Sequence, residues 1–188
     1  MDVLIDKCAY YAYNHPDLKT DYQRLFADLY DRRHREMINV LTDQSENEMK
    51  KELKKAKEEI GKISLDETQN WNDYVDTELS RRQRKLIKEF QKVNFKDYPR
   101  VHHVRKRAKT LRYSATYFAG FDPKRAKKSK KIAESVQDIC GNITAAHVNQ
   151  KMLADFAKQT DDAQERSLLM SISNFQNEIL SSRVKKEK

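Results

Sequence analysis

The sequence predicts an all-α protein, an antiparallel bundle of about seven or eight helices. Three observations lead to this fold class. Only three glycines and three prolines occur in 188 residues, which leaves little material for hairpin turns. Residues with high helix propensity, such as Leu, Lys, Glu and Arg, are frequent throughout. Hydrophobic residues make up 38% of the chain, enough to fill a core in a chain of this length.

Breaks in the helical pattern define the elements. They fall near residues 15–16, 42–43, 61–66, 94–99, 120–123 and 160–162. The predicted helices span residues 2–14, 17–42, 45–60, 67–94, 99–119, 123–147 and 161–184, with 149–158 as a continuation of the sixth or a separate helix. Asp17, Asp122 and Asp161 stand at three of these starts, where a carboxylate caps a helix or stabilises its dipole.

Positive charge is concentrated in residues 100–131, where twelve of thirty-two residues are Lys or Arg and only Asp122 is acidic. The rest of the chain holds 26 basic and 28 acidic residues, so the net charge of +9 comes from this segment. A local cationic surface on an otherwise balanced protein is typical of proteins that bind a polyanion.

The predicted helix at 99–119 carries two stripes. The apolar stripe faces the core and consists of Val101, Val104, Ala108, Leu111, Ala115 and Phe118. The basic stripe consists of His102, Arg105, Lys109 and Arg112, with Lys106 and Tyr113 beside it. Its spacing of 3, 4 and 3 residues places the four side chains in one row. Such residues commonly extend into water without a partner, but a row without a neighbouring carboxylate favours an anionic ligand.

Two further arginines fall on apolar helix faces, Arg33 in the helix at 17–42 and Arg82 in the helix at 67–94. A buried guanidinium needs a partner. The explanations are an internal salt bridge to Glu36, Glu78 or Glu89, an anionic ligand, a water-filled interior, or coincidence in a basic chain. On the next helix, Lys128 and Lys131 flank the apolar stripe of Ile132, Val136 and Ile139. These four cations are secondary candidates.

Other functions lack a sequence signal. Cys8 and Cys140 show no zinc or redox spacing and are expected to be small buried residues. No apolar run approaches the ~20 residues of a membrane span, and the N-terminus does not resemble a signal peptide. We therefore expect a cytoplasmic, non-enzymatic protein with no catalytic residue, cofactor or metal.

The string HHVRKRAKTLRY at 102–113, followed by VQDICGN at 136–142, resembles the CHAD family, the conserved histidine α-helical domain. Members carry a helix reading roughly H-x-x-R-K-x-x-K-R-L-R-Y. Here the matching residues are His102, Arg105, Lys106, Lys109, Leu111, Arg112 and Tyr113. A later family helix ends in a Gln-Asp-x-x-Gly element, matched by Gln137, Asp138 and Gly141. The opening Asp2-Val3-Leu4 is similar to the segment that follows the Arg-Asp element of the family's first half.

The resemblance implies two helical-bundle halves around a basic channel that binds inorganic polyphosphate. It assigns binding to His102, Arg105, Lys106, Lys109 and Arg112. It also implies one domain over 1–188, with 1–94 as the remainder of the first half and connecting helix, and 95–188 as the second half. Association with polyphosphate granules would follow from this binding.

The sequence departs from the family pattern in three ways. Thr110 replaces a commonly basic residue, and Thr144-Ala145 stand where many members have Asn-Asp. The chain also resembles a shortened member that lacks the first His/Arg-bearing helix. A second copy, forming a homodimer, is then expected to supply the missing basic surface.

Three other functions are weaker predictions. A nucleic-acid-binding protein could use the same basic stripe, but the basic run shows no helix-turn-helix or interleaved aromatic residues. A phosphate-chemistry enzyme would need a Gly-rich loop or a carboxylate cluster for Mg²⁺, and the basic run has neither. A coiled-coil scaffold would need sustained heptads, whereas the apolar pattern of this chain breaks at every predicted loop.

Overall fold

The structure, a computed structural model, describes residues 1–63 and 70–186. All regular structure in these ranges is helical, which confirms the predicted fold class. The helices are α1 (Asp2–Asn14), α2 (Lys19–Val40), α3 (Asp43–Gly61), α4 (Trp71–Gln91), α5 (Tyr98–Tyr117), α6 (Pro123–Gln159) and α7 (Ala163–Lys186), with a 3₁₀ turn at Pro16–Leu18. The predicted start of the fourth helix at residue 67 lies outside the described residues. The helix from residue 123 runs without a break to Gln159.

Helix starts are capped by short polar side chains, largely as predicted. Asp122 accepts a hydrogen bond from the backbone N–H of Arg125 at 2.9 Å. At the start of α7 the prediction of Asp161 is wrong by one residue, because Asp162 accepts the backbone N–H of Glu165 at 3.2 Å. Backbone hydrogen bonds, that from Glu165 first, lower the pKa of Asp162, so the cap is a charged carboxylate at the positive end of a helix.

The described chain forms two compact units. The first lies within residues 1–68 and 162–168, where α1 packs against α2. Leu25 and Leu29 of α2 are fully buried. The buried face of α2 does not extend to its C-terminal end, because Met37 and Val40 are 44% and 64% exposed. Helix α3 has no buried residue.

The second unit lies within residues 69–161 and 169–188. Its core forms where α4, α5 and α6 pack on one another, and Leu180 of α7 joins it. The predicted apolar stripe of α5 is buried from Val101 to Ala115. Phe118, which was predicted to extend the stripe, is 45% exposed because α5 ends at Tyr117.

Polar groups also join α4 to α6. The hydroxyl of Ser129 donates to Oε1 of Gln83 at 3.0 Å, and both residues are buried. Nε of Arg125 donates to Asp76 at 2.6 Å. These contacts hold the N-terminal half of α6 against α4.

Cys8 and Cys140 are both fully buried, which confirms their predicted place in the core. Burial raises the pKa of the Cys8 thiol to about 12, so this thiol stays protonated and unreactive. Among the described helices, none is both long enough and apolar enough to cross a membrane.

Candidate anion-binding site

Helix α5 presents the predicted cations. Asp97 caps it by accepting the backbone N–H of Arg100 at 3.1 Å, and Pro99 stands in its first turn, where proline fits a helix start. The helix packs against α4 and α6. Its apolar stripe lies in the core, so its two flanks and outer face carry the polar side chains.

The structure places all five predicted binding residues on this helix. We call them the α5 basic row: His102, Arg105, Lys106, Lys109 and Arg112. His102, Lys106 and Lys109 are exposed, whereas Arg105 and Arg112 are half-buried. Three side chains of the row therefore extend into solvent, and the two arginines lie partly against the protein.

Arg105 lies against α6 at Gly141. A Cβ atom built on Gly141 would be 3.3 Å from Nε and 3.9 Å from Cδ of Arg105. Gln137 precedes Gly141 by one helical turn, so the two share a face of α6. The glycine predicted from the Gln-Asp-x-x-Gly element thus makes room for one of the predicted binding arginines. That element lies in the middle of α6 and not at a helix end.

Thr144, which stands where many family members have asparagine, forms a hydrogen bond within α6. Its hydroxyl donates to the backbone carbonyl of Cys140, one turn earlier, at 2.8 Å, a bond that threonine commonly makes in helices. The helix continues through this position, so no helix end needs the side chains that many family members have there.

Three polar side-chain atoms of α5 and α6 are buried without a hydrogen-bond partner in the described chain. They are Nε of Arg105, Nε of Arg112 and Oε1 of Gln137. A buried polar group without a partner costs about 1–3 kcal/mol, more when it is charged. The Nε of Arg105 lies at Gly141 of α6, so these arginines rest partly against the protein.

Tyr113 adds a cation–π contact to the row. Its ring, 43% exposed, lies 5.0 Å from Cζ of Arg112 and 5.7 Å from Nζ of Lys109. Each such contact contributes on the order of 0.5–1 kcal/mol at an exposed site. The ring therefore helps hold two cations close together despite their repulsion.

No carboxylate within the described ranges forms an ion pair with the α5 basic row. Other arginines of the second unit do have acidic partners. Arg82 pairs with Glu78 at 2.7 Å, and Arg107 pairs with Glu89. The contrast shows that the row's positive charge is not neutralised, and it is therefore available to an anion.

The secondary candidates lie on helices other than α5. Arg33 belongs to the first unit, where its Nε bonds to Asp2 at 2.5 Å, a partner that the sequence did not suggest. Arg82 has the predicted partner Glu78 and lies on the α4 side of α5. Lys128 and Lys131 are exposed and lie about 140° and 80° around α6 from Gly141 at ~100° per residue.

Sequence reasoning missed a second cationic cluster, between α4 and α5. Arg81, Arg82, Lys85 and Arg107 line a cavity of about 200 Å³ there. The sequence pattern singles out only Arg82, as an arginine on an apolar helix face. The missing signal was Arg107, which lies on the flank of α5 opposite Arg105 and meets α4 only in the folded chain.

The described residues contain no group of three or more His, Cys, Asp or Glu side chains arranged to hold a metal ion. The candidate site is built of cationic donors, which suit an anion and repel a metal ion.

Comparisons with known proteins complete this picture. No curated protein and no solved structure matches the chain. The sequence model of the CHAD domain matches residues 1–154, a range that includes the α5 basic row, Gln137 and Gly141. Because the match covers most of the 188 residues, the chain belongs to the CHAD domain family.

Proposed function

We propose that the chain binds inorganic polyphosphate along the α5 basic row, without catalysis. The observation that carries the proposal is that no cation of the α5 basic row has an acidic partner in the described chain, so the row's charge is not neutralised. Membership of a family associated with polyphosphate or triphosphate binding also supports it.

The chemistry of polyphosphate fits this row. Its chain carries about one negative charge per phosphate and has no base to recognise, so binding depends on charge neutralisation and release of counterions. Arg105 and Arg112 supply planar guanidinium groups that donate two hydrogen bonds to one phosphate. Lys106 and Lys109 act as exposed point charges, and His102 is exposed near the start of the row.

The same row also permits the alternative, a nucleic-acid-binding protein, because a phosphate backbone presents similar charges. Polyphosphate is the better fit since Tyr113, the aromatic residue beside the row, already contacts two cations. It is not free to stack on bases as single-strand binders require.

Three associated proposals complete the function. The protein is not an enzyme, because the row is built of cationic side chains and contains no carboxylate to hold Mg²⁺. A homodimer would bring two rows into one assembly and increase affinity for long chains by avidity. The protein acts in the cytoplasm, associated with polyphosphate granules.

Competition at matched phosphate concentration tests the ligand. Labelled long-chain polyphosphate is bound to the protein, and unlabelled polyphosphate, single-stranded DNA or double-stranded DNA is added. We expect only unlabelled polyphosphate to displace the label efficiently. Equal displacement by DNA would contradict polyphosphate as the preferred ligand and favour the alternative.

A further inference from the structure

A groove between α4 and α5 has two different halves. The basic half is the cavity of about 200 Å³ lined by Arg81, Arg82, Lys85 and Arg107. The second is a cavity of about 190 Å³ lined by Trp71, Tyr74, Phe118, Ser114, the carboxylate Glu78 and apolar side chains of α4. Arg82 lines both cavities, so the two lie side by side between α4 and α5.

The basic half keeps positive charge after its internal pairs are counted. Nε and Nη2 of Arg81 both donate to Glu78 at 2.7 Å, and Arg82 donates to the same carboxylate. Arg107 pairs with Glu89. Four cations therefore face two carboxylates, and Lys85 has no acidic partner in the described part of the chain. The hydroxyl of Thr110 and the buried Leu86 and Leu111 complete the lining.

The other half is aromatic. The rings of Trp71 and Tyr74 meet edge to face, with centroids 5.8 Å apart. Tyr74 is 48% exposed and Phe118 is 45% exposed. Exposed aromatic side chains are the surfaces on which nucleic-acid bases stack. Polyphosphate has no group that would use this half of the groove.

We propose that the α4/α5 groove binds a nucleoside di- or triphosphate. The phosphates lie among Arg81, Arg82, Lys85 and Arg107, and the base lies on the aromatic half. The two cavities come to about 390 Å³ together, within the ~300–1,000 Å³ of small-molecule sites, whereas neither reaches that range alone. The site is separate from the α5 basic row and does not depend on polyphosphate binding there.

Fluorescence of Trp71 reports on the site directly, because it is the sole tryptophan of the chain. ATP without divalent ions is titrated into the full chain, with inorganic triphosphate and adenosine as separate probes. We expect ATP to quench the fluorescence saturably, inorganic triphosphate to bind about tenfold more weakly, and adenosine to bind weakest. Equal affinity for ATP and inorganic triphosphate would overturn the proposal.

Variants separate the two halves of the groove. Arg81→Gln with Lys85→Ala should weaken ATP binding about tenfold. It leaves Arg82 to pair with Glu78. Arg84→Gln with Lys88→Ala is the control, since it removes the same number of charges at two exposed residues of α4 that line neither cavity. Trp71→Leu, measured by calorimetry, should reduce ATP affinity to that of inorganic triphosphate.

Two outcomes would contradict the site. One is unchanged ATP binding in the Arg81→Gln/Lys85→Ala variant. The other is loss of ATP binding when Arg105, Lys109 and Arg112 are changed to Ala, because ATP would then be only another anion on the α5 basic row. Circular dichroism of each variant confirms that its helices are intact, so a loss of binding is not a loss of fold.

Discussion

A Cβ atom on Gly141 would lie 3.3 Å from Nε of Arg105. This is closer than ordinary van der Waals contact, so the guanidinium of Arg105 occupies space that a larger residue on α6 would reduce. Glycine inside a helix costs roughly 0.5–1 kcal/mol relative to alanine. Glycine at this position lets Arg105, a predicted binding residue, lie close against α6, which explains why the helix has glycine here despite that cost.

Gly141→Ala should therefore separate stability from binding. Helix propensity favours alanine by up to about 1 kcal/mol, so urea unfolding should show equal or greater stability. Arg105 must move by a few tenths of an ångström, and polyphosphate affinity should fall several-fold. Gly61→Ala is the control, since nothing lies within 4 Å of its added Cβ. Unchanged binding in Gly141→Ala would show that the position of Arg105 is unimportant.

Arginine and lysine should not be interchangeable within the row. Arg112→Lys keeps the charge but removes the planar donor whose Nε is buried, so we expect polyphosphate affinity to fall several-fold. Lys109→Arg changes an exposed side chain and should leave affinity equal or slightly higher. Equilibrium binding at one salt concentration compares the two. Equal effects would mean that the row acts through charge alone.

The fold and most of the row were predictable from sequence because both depend on local periodicity. The 3.6-residue pattern of α5 places Val104 in the core and Arg105 on its edge whatever the partners are. The Phe118 error arose at a helix end, where periodicity gives no warning that the helix stops at Tyr117.

Pairings between distant residues were not predictable. Arg33 bonds to Asp2, 31 residues away, and Arg107 pairs with Glu89 across two helices. No spacing rule connects such residues, because only the packing of helices brings them together. The α4/α5 groove was missed for this reason, whereas the pair of Arg82 and Glu78 lies within one helix and was anticipated.

Glu78 should contribute to stability in a defined pH range. Hydrogen bonds from Arg81 first, then from Arg82, lower its pKa from 4.5 to about 2. A lowered folded-state pKa gives stability that is present above pH ~4.5 and is lost as pH falls towards 2. Glu78→Gln should cost on the order of 1 kcal/mol at neutral pH, allowing for its partial exposure. Urea unfolding at several pH values checks this.

The comparison with Glu78→Gln contains its own control. The difference in unfolding free energy between native chain and variant should shrink between pH ~4.5 and ~2. A difference that stays constant over this range would show that the carboxylate acts through packing. Asp31→Asn, which breaks the exposed pair with Arg35, should have little effect at any pH.

His147 should make the chain less stable in mildly acidic solution. Its ring stacks on Tyr98 with centroids 3.7 Å apart, and burial, followed by the charge of Lys151, lowers its pKa below 6.5. The unfolded chain then binds the proton more tightly, so stability falls as pH drops below ~6.5. His147→Phe keeps a stacked ring and should lose this part of the pH dependence. Thermal unfolding between pH ~7.5 and ~5.5 measures both proteins. An identical pH dependence in the two would contradict the assignment to His147.

The salt dependence of polyphosphate binding tests the central claim most directly. Affinity for labelled long-chain polyphosphate is measured at several salt concentrations for the native chain and for Arg105→Ala/Lys109→Ala/Arg112→Ala. The α5 basic row predicts tight binding that weakens steeply with salt in the native chain, and loss of most affinity and a shallower salt slope in the variant. Equal affinity and equal slope in the two proteins would contradict the assignment of polyphosphate binding to this row.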